Sequence, residues 1–315
     1  MKVIYSTGEE NIAKVYIGET EDSRLLEFVE SVQPPIPREK KWVLIVSTLY
    51  GCPIGCKICD AGEFYHGKIS ADVIMAQIDY MVVNRYPDRK IPVEKFKIQF
   101  ARMGDPVLNP DVLEVLEKLP LIYEAPGLMP SISTIAPIGR EAYFDRLIGI
   151  KERLYPNSFQ MQFSIHSTDE AQRDRLIPVK KWNFSQIAGF GDKFHKTGAR
   201  KIALNFALAE GIIVDEKVLR NHFDPEIFLI KITPVNPTYR AKRNSISSHI
   251  QPDLENYEVI ERLRGAGFEV ILSIGELSEN DIGSNCGQHV MNYLNDGNKM
   301  NDSYTYPLIS QKYSD

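Results

Sequence analysis

The sequence predicts a globular α/β protein built on a parallel sheet; the pattern of elements predicts the sheet, and the composition predicts a globular chain. From residue 42 onward, short apolar runs typical of strands buried on both faces alternate with amphipathic segments typical of helices, and the alternation repeats seven times. Hydrophobic residues make up 43% of the 315 residues and charged residues 25%, as in ordinary globular proteins. Such a repeat can form a doubly wound sheet or a full or partial barrel, and the pattern alone leaves these architectures open.

The chain is predicted to have three parts. Residues 1–41 form an N-terminal β-rich extension, because weak alternation indicates a few strands or a hairpin before a proline-rich connector without periodicity. Residues 42–290 form the α/β domain, and residues 291–315 form a polar, loosely held tail.

Within the α/β domain, strands and helices are expected to follow one another along the chain. The strands are predicted at 42–47, 96–100, 131–135, 159–164, 201–207, 227–232 and 268–273. The helices are predicted after an N-cap at Ser70, from Asn109-Pro110 to Leu119 with the proline at the first helical position, and at 141–154, 168–176, 184–197, 215–222 and 253–264.

Charge and hydropathy narrow the class of function. With 37 basic and 42 acidic side chains the net charge is −5, so an extensive basic surface for nucleic acid is not the default expectation. No apolar run approaches the ~20 residues that span a bilayer, and the N-terminus lacks a signal-peptide core. We therefore expect a soluble, cytoplasmic protein with no membrane partner.

Two groups of basic residues are interpreted individually. Arg173 and Arg175 are interpreted as charges on a helix surface, and the basic cluster at 240–243 as facing an anionic substrate.

The four cysteines point to metal chemistry. Cys52, Cys56 and Cys59 have the spacing C-x3-C-x2-C, and Cys286 lies far away near the C-terminus. A structural zinc site would normally have four protein ligands, so an iron–sulfur cluster with one iron not bound by protein fits three thiolates better. The alternative, three unrelated buried thiols, requires three of four cysteines to fall within eight residues by chance.

Polar residues follow several predicted strands. The cysteine loop, the turn at 104–106, Ser133, the segment 164–166 and Asn236 all lie at carboxyl ends of strands. In parallel α/β folds ligands bind at that edge of the sheet, so these residues are predicted to share one site.

Six segments of the chain carry a family resemblance. In order they are VSTLYGCPIGCKICDAG, ARMGDPVLN, SISTIAP, FSIHSTDEAQRDRLIPV, IKITPVNP and GSNCGQ. The cysteine spacing resembles the radical S-adenosylmethionine (SAM) superfamily. The six segments together resemble its RlmN/Cfr branch, the methyltransferases that act on ribosomal-RNA adenine. The resemblance extends from about residue 36 to residue 290.

The resemblance implies a fold and two cofactors. The fold would be a partial (β/α)6 barrel of the TIM type. The three clustered cysteines would hold a [4Fe–4S] cluster, and the iron not bound by protein would chelate SAM. An external electron donor such as flavodoxin or ferredoxin would reduce the cluster. Six residues match the contacts of the family with SAM: Gly104, Asp105, Ser133, Ser164, His166 and Asn236.

Cys286 matches the methyl-carrying cysteine of the family. The resemblance implies that one SAM methylates its thiolate. A radical from a second SAM then takes hydrogen from the S-methyl group, and the resulting methylene radical adds to an sp2 carbon of the substrate. The family has a second cysteine seven residues before the first cluster ligand, where this chain has Ile45. The helical RNA-binding domain of the family has no counterpart in residues 1–41, and the chain is acidic, so we expect a non-ribosomal substrate: a small molecule, nucleotide, peptide or small RNA.

Two other functions stay open from the sequence. The chain could be a radical SAM enzyme of another reaction type, hydrogen abstraction followed by rearrangement or bond formation, with Cys286 as hydrogen donor or covalent tether. It could also be a non-catalytic protein that binds the cluster and SAM as a sensor or partner. The retained cluster cysteines and predicted SAM contacts argue against this last alternative.

Overall fold

A computed structural model describes most of the chain. The described residues are 1–63, 65–251, 257–276, 278–285, 288–291, 306 and 309–311. They divide into two compact units. The first comprises Met1–Pro53, Asp60–Ser131 and Gly275–Asp315, and the second comprises Ile54–Cys59 and Ile132–Ile274.

The described elements alternate between strands and helices after residue 42. The strands are β1 Lys2–Glu9, β2 Ala13–Glu19, β3 Leu25–Ser31, β4 Trp42–Val46, β5 Leu49–Gly51, β6 Tyr65–Lys68, β7 Phe96–Phe100, β8 Leu128–Thr134, β9 Gln160–Ser164, β10 Ile202–Leu208, β11 Phe228–Pro234, β12 Val270–Leu272 and β13 Ile309–Ser310. The α-helices are α1 Ala71–Val83, α2 Asp111–Ile122, α3 Glu141–Leu154, α4 Glu170–Leu176, α5 Phe184–Phe194, α6 Glu216–His222, α7 Tyr239–Arg243, α8 Glu258–Gly265 and α9 Ser278–Ile282.

The first unit joins an antiparallel sheet to the start of the parallel one. β13, β1, β2, β3 and β4 pair in that order, each antiparallel to the next, and β4 pairs in parallel with β7. α1 lies between β4 and β7 in the chain and packs on both β4 and α2. β4 buries Trp42, Leu44 and Val46 completely. The predicted N-terminal strands are therefore present, and they extend the sheet beyond β4.

The second unit is a parallel sheet with connecting helices. β9, β10, β11 and β12 pair in parallel in that order. Every residue of β10 is buried, as expected for a central strand covered on both faces. β8 is divided between the two units at Ser131.

Helix starts follow from capping side chains. The Ser70 hydroxyl accepts a hydrogen bond from the Val73 N–H at the start of α1. Asn183 and Gln186 form a reciprocal capping box at the start of α5, and the Thr238 hydroxyl accepts from the Ala241 N–H in α7. These side chains satisfy backbone N–H groups that the helix itself cannot bond.

The seven predicted strands are all present, and their bounds move by at most a few residues. Pro110 is the N-cap of α2 rather than its first helical residue, and α5 ends at Phe194, earlier than expected. The short hairpin of β5 and β6, together with α7 and α9, was not predicted.

No helix in the described part of the chain is long and apolar enough to cross a membrane. Most of the predicted tail, 291–315, lies outside the described residues.

Candidate active site

The cysteine loop begins directly after β5. Cys52 follows Gly51 in the first unit, and Cys56 and Cys59 lie in the second, where the Cys59 N–H donates to the Cys56 carbonyl at 3.3 Å. All three cysteines are half-buried. Gly55 adopts φ +69°, a left-handed conformation that favours glycine and turns the chain between the first and second thiols.

The entry to this loop is fixed by amide side chains. Gln77 of α1 binds both backbone groups of Ser47, accepting from its N–H at 2.8 Å and donating to its carbonyl at 3.0 Å. Asn109 donates to the carbonyls of Thr48 and Ile69 at 2.8 and 2.7 Å. These bonds satisfy buried backbone groups where β4 has ended, so the loop starts from a defined position.

Gly104 and Asp105 lie beside the start of the loop, within the first unit. Gly104 has φ +92°, and a Cβ atom there would lie 2.4 Å from the Cβ and Cγ atoms of Leu49, so only glycine fits. The buried carboxylate of Asp105 accepts from the Val107 N–H at 3.0 Å and caps the 3₁₀ helix Pro106–Leu108. Asp105 thus has a structural role in addition to the predicted contact with SAM.

The other predicted SAM contacts lie in the second unit, at or after the ends of strands. Ser133 lies near the end of β8 and Ser164 at the end of β9, and Asn236 follows β11; all three are half-buried. β9 and β10 place Ser164 in register with Asn205.

His166 is bound firmly to β10. Its side chain is 8% exposed, and its Nδ1 accepts a hydrogen bond from the Ala207 N–H at 3.1 Å. The backbone N–H of His166 donates to the Asn205 backbone carbonyl at 3.2 Å. Burial, and secondarily the charge of Arg173, lowers the pKa of His166 to about 4. The imidazole is therefore neutral at pH 7, and because Nδ1 accepts, the proton is assigned to Nε2, which is a donor.

Two residues near His166 were not predicted as parts of the site. Arg173 is 4% exposed, so its interpretation as a surface charge is wrong, whereas Arg175 is exposed as expected. The Arg173 guanidinium donates to the Trp182 carbonyl at 2.8 Å and lies over the Phe184 ring. Asn205 is also buried, and its Oδ1 accepts no hydrogen bond from the described residues. A polar residue inside the apolar run of β10 was the only sequence signal for Asn205.

Cys286 lies outside the described residues, but both neighbouring segments are described. On one side, the Arg102 guanidinium donates to the carbonyls of Gly283, Ser284 and Asn285 at 2.8, 2.7 and 3.2 Å. On the other side, the Val290 N–H donates to the Glu27 carboxylate at 2.9 Å.

Arg102 and Glu27 form a buried ion pair. Their side chains are 1% and 0% exposed, and Arg102 Nη2 lies 2.7 Å from Glu27 Oε1. Gln288 donates to the Arg102 carbonyl at 3.3 Å. The pair therefore connects β3, the end of β7 and the two segments next to Cys286 within the first unit.

Ile45, where the related family has its second cysteine, packs in an apolar cluster of the first unit. The buried members are Ala13, Val15, Val29 and Ile282. Ile45 lies opposite Val29 in the β3–β4 register. Position 45 thus carries a side chain that serves packing and cannot form a disulfide.

The donor set fits an iron–sulfur cluster. Three thiols on one irregular loop are soft ligands that suit iron–sulfur centres or zinc. Among the described residues, no three His, Cys, Asp or Glu side chains are close enough together to bind a single metal ion.

Comparison with known proteins gives relatives at low identity. No protein-family model matches the sequence. A protein of Wolinella succinogenes named dual-specificity RNA methyltransferase RlmN is 24% identical over 307 residues, which cover 91% of this chain and 83% of the relative. A probable RlmN of Prochlorococcus marinus is 24% identical over 272 residues, 83% of this chain and 70% of the relative.

A solved structure shares the fold. The radical SAM methyltransferase from Sphaerobacter thermophilus superposes with a TM-score of 0.63 at 17% identity, covering 91% of this chain and 80% of that protein. This likeness confirms the predicted fold class, an α/β protein of the partial TIM-barrel type.

Proposed function

We propose that this chain, a distant relative of the RlmN-like radical SAM methyltransferases, is itself a radical SAM enzyme that transfers a one-carbon unit through Cys286 to an sp2 carbon. The branch implies a [4Fe–4S] cluster and SAM as cofactors. A cluster on Cys52, Cys56 and Cys59 would supply the electron that cleaves SAM.

One observation carries the proposal. The segments on either side of Cys286 are bound to Arg102 and Glu27, in the same compact unit as Cys52 and Gly104. A lone cysteine in a polar C-terminal segment would otherwise be interpreted as an ordinary buried thiol. A buried ion pair binds the described residues on both sides, 283–285 and 290, and a carrier residue between them would need such anchored flanks in order to reach its reaction partners.

The proposed SAM contacts supply fixed polar groups on an apolar sheet edge. Neutral His166 offers an Nε2–H donor and adds no charge. Ser133, Ser164 and Asn236 offer uncharged donors and acceptors in the same unit as His166. Such a set suits a zwitterionic ligand, which is oriented by a few convergent hydrogen bonds in a site that excludes water.

For the substrate we propose a base-like sp2 carbon in a molecule other than ribosomal RNA. The named relatives are RNA methyltransferases, which supports an unsaturated ring carbon as acceptor. The net charge of −5 opposes the extended phosphate contacts of a ribosomal substrate. A nucleotide or small RNA needs fewer such contacts.

A second candidate function is favoured by Ile45. Isoleucine has no thiol and cannot form a resolving disulfide with Cys286, so another thiol or base must release the product if methyl transfer occurs. Otherwise the enzyme performs another radical reaction, with Cys286 as hydrogen donor or tether.

Intact-protein mass spectrometry after anaerobic cluster reconstitution separates these functions. Wild type, Cys286→Ala and Cys59→Ala are incubated with SAM and a reductant, and deoxyadenosine is assayed in parallel. Carbon transfer predicts a methyl-sized mass gain in wild type that Cys286→Ala lacks. Deoxyadenosine without this gain would favour the second function, and SAM binding without cleavage would refute both.

A further inference from the structure

We propose that α7 is a positioning element for the cluster loop, acting through Thr238, Arg240 and Asn244. This inference rests on the proposed function, because it assigns these residues a role toward the cluster that the cysteines would hold. All the contacts that carry it lie within the second unit.

Three side chains at α7 bind three carbonyls of the loop. Arg240 Nη2 donates to the Gly55 carbonyl at 2.9 Å. The Thr238 hydroxyl donates to the Ile58 carbonyl at 2.9 Å, and the Asn244 amide donates to the Lys57 carbonyl at 3.1 Å. The bound carbonyls belong to the residues immediately before Cys56, after Cys56 and before Cys59. Each bond therefore fixes a peptide group next to a predicted ligand.

An apolar contact joins the same two elements. Ala241 of α7 is fully buried in a cluster with Ala207, Ala209 and Val235, and Ile58 packs on that cluster. The cluster connects α7 to the carboxyl ends of β10 and β11. The loop is thus held by side-chain packing as well as by hydrogen bonds, and the support reaches back into the sheet.

The hydrogen bonds of Thr238 and Arg240 fix the orientation of the cysteine loop relative to α7. Thr238 is 3% exposed, and its hydroxyl both donates to Ile58 and accepts from the Ala241 N–H, so one side chain starts the helix and fixes the loop. Arg240 supplies a charged donor, which makes a stronger hydrogen bond than a neutral one. Its guanidinium also places positive charge beside the loop, where hydrogen bonds and charge set the properties of an iron–sulfur centre.

One backbone contact does not depend on α7. The Lys57 N–H donates to the Leu176 carbonyl at 2.9 Å. Loss of an α7 contact is therefore expected to loosen the loop without abolishing cluster binding. The effect is therefore measured as the rate at which the protein loses its cluster.

The test measures the rate at which a chelator removes the cluster under anaerobic conditions. Reconstituted full-length protein is mixed with an iron chelator, and the visible absorbance of the cluster is followed. Arg240→Ala and Thr238→Val are expected to accelerate loss on the order of fivefold each, since each removes one buried or charged hydrogen bond. Arg243→Ala, which removes an exposed charge from the same helix, and Thr238→Ser, which keeps the hydroxyl, are expected to stay within about twofold of wild type.

A second readout separates positioning from general instability. The electron paramagnetic resonance spectrum of the reduced cluster, with and without SAM, is expected to change in Arg240→Ala and to match wild type in Arg243→Ala. Far-UV circular dichroism checks that the variants fold. If Arg240→Ala, Thr238→Val and Arg243→Ala lose the cluster at equal rates and give equal spectra, the role of α7 is refuted. The proposed function is unaffected by that result. Wild-type protein that binds no four-iron cluster would overturn the role of α7 together with the proposed function.

Discussion

Replacing Arg102 by methionine is expected to destabilise the first unit strongly. The guanidinium lies 2.7 Å from the Glu27 carboxylate, both side chains are at most 1% exposed, and the same group binds the carbonyls of Gly283 and Ser284. Arg102→Met leaves an uncompensated buried carboxylate, for which the cost is about 3–5 kcal/mol. Domains are typically stable by only about 5–15 kcal/mol, so a loss of this size is readily measured.

Urea denaturation followed by circular dichroism measures this loss. The matched variant is the double substitution Arg102→Met with Glu27→Gln, which removes the charge that the single variant leaves unpaired. We expect the double variant to recover at least about 1 kcal/mol of the unfolding free energy. A single variant that loses less than about 1 kcal/mol, or a double variant less stable than the single one, would refute the assignment of a buried ion pair.

Two further predictions concern the remaining site residues. Gly104→Ala is expected to cost at least about 2 kcal/mol more unfolding free energy than Gly139→Ala. Both glycines have positive φ, but only at Gly104 would the new Cβ meet Leu49. For His166, the pKa in the folded protein is about 4 against an ordinary 6.5. The folded state therefore loses stability as the pH falls below 6.5, by about 2 kcal/mol at pH 5. Urea titrations of wild type and His166→Asn at pH 7.5 and 5 should show a smaller loss in the variant, and equal losses would contradict the assigned cause.

The order of elements was predictable because it depends on local pattern. Seven apolar runs became β4 and β7–β12, and the Ser70 N-cap started α1 as expected. The short elements were missed because they have little pattern of their own. β5 and β6 span three and four residues, and α7 spans five. Tertiary contacts stabilise segments of this length more than propensity does.

For the site, the sequence motifs predicted which residues take part, but they did not predict which other side chains those residues contact. Gly104 was matched by sequence, and the structure added the physical reason, the close approach of Leu49. Arg173 was misinterpreted because a short helix with alternating charges has the pattern of a surface helix. This arginine is in fact buried, and its guanidinium donates to the Trp182 carbonyl and lies over the Phe184 ring.

By itself the sequence determined the α/β class, the order of strands and the cysteine spacing that predicts an iron–sulfur loop. Only the tertiary structure decided that Glu27 pairs with Arg102, that the Arg240 side chain binds the Gly55 carbonyl, and that Ile45 packs in an apolar cluster. The physical reason is distance along the chain. Periodicity and capping are properties of neighbouring residues, whereas a buried ion pair or an anchored loop forms between residues that the chain brings together only when it folds.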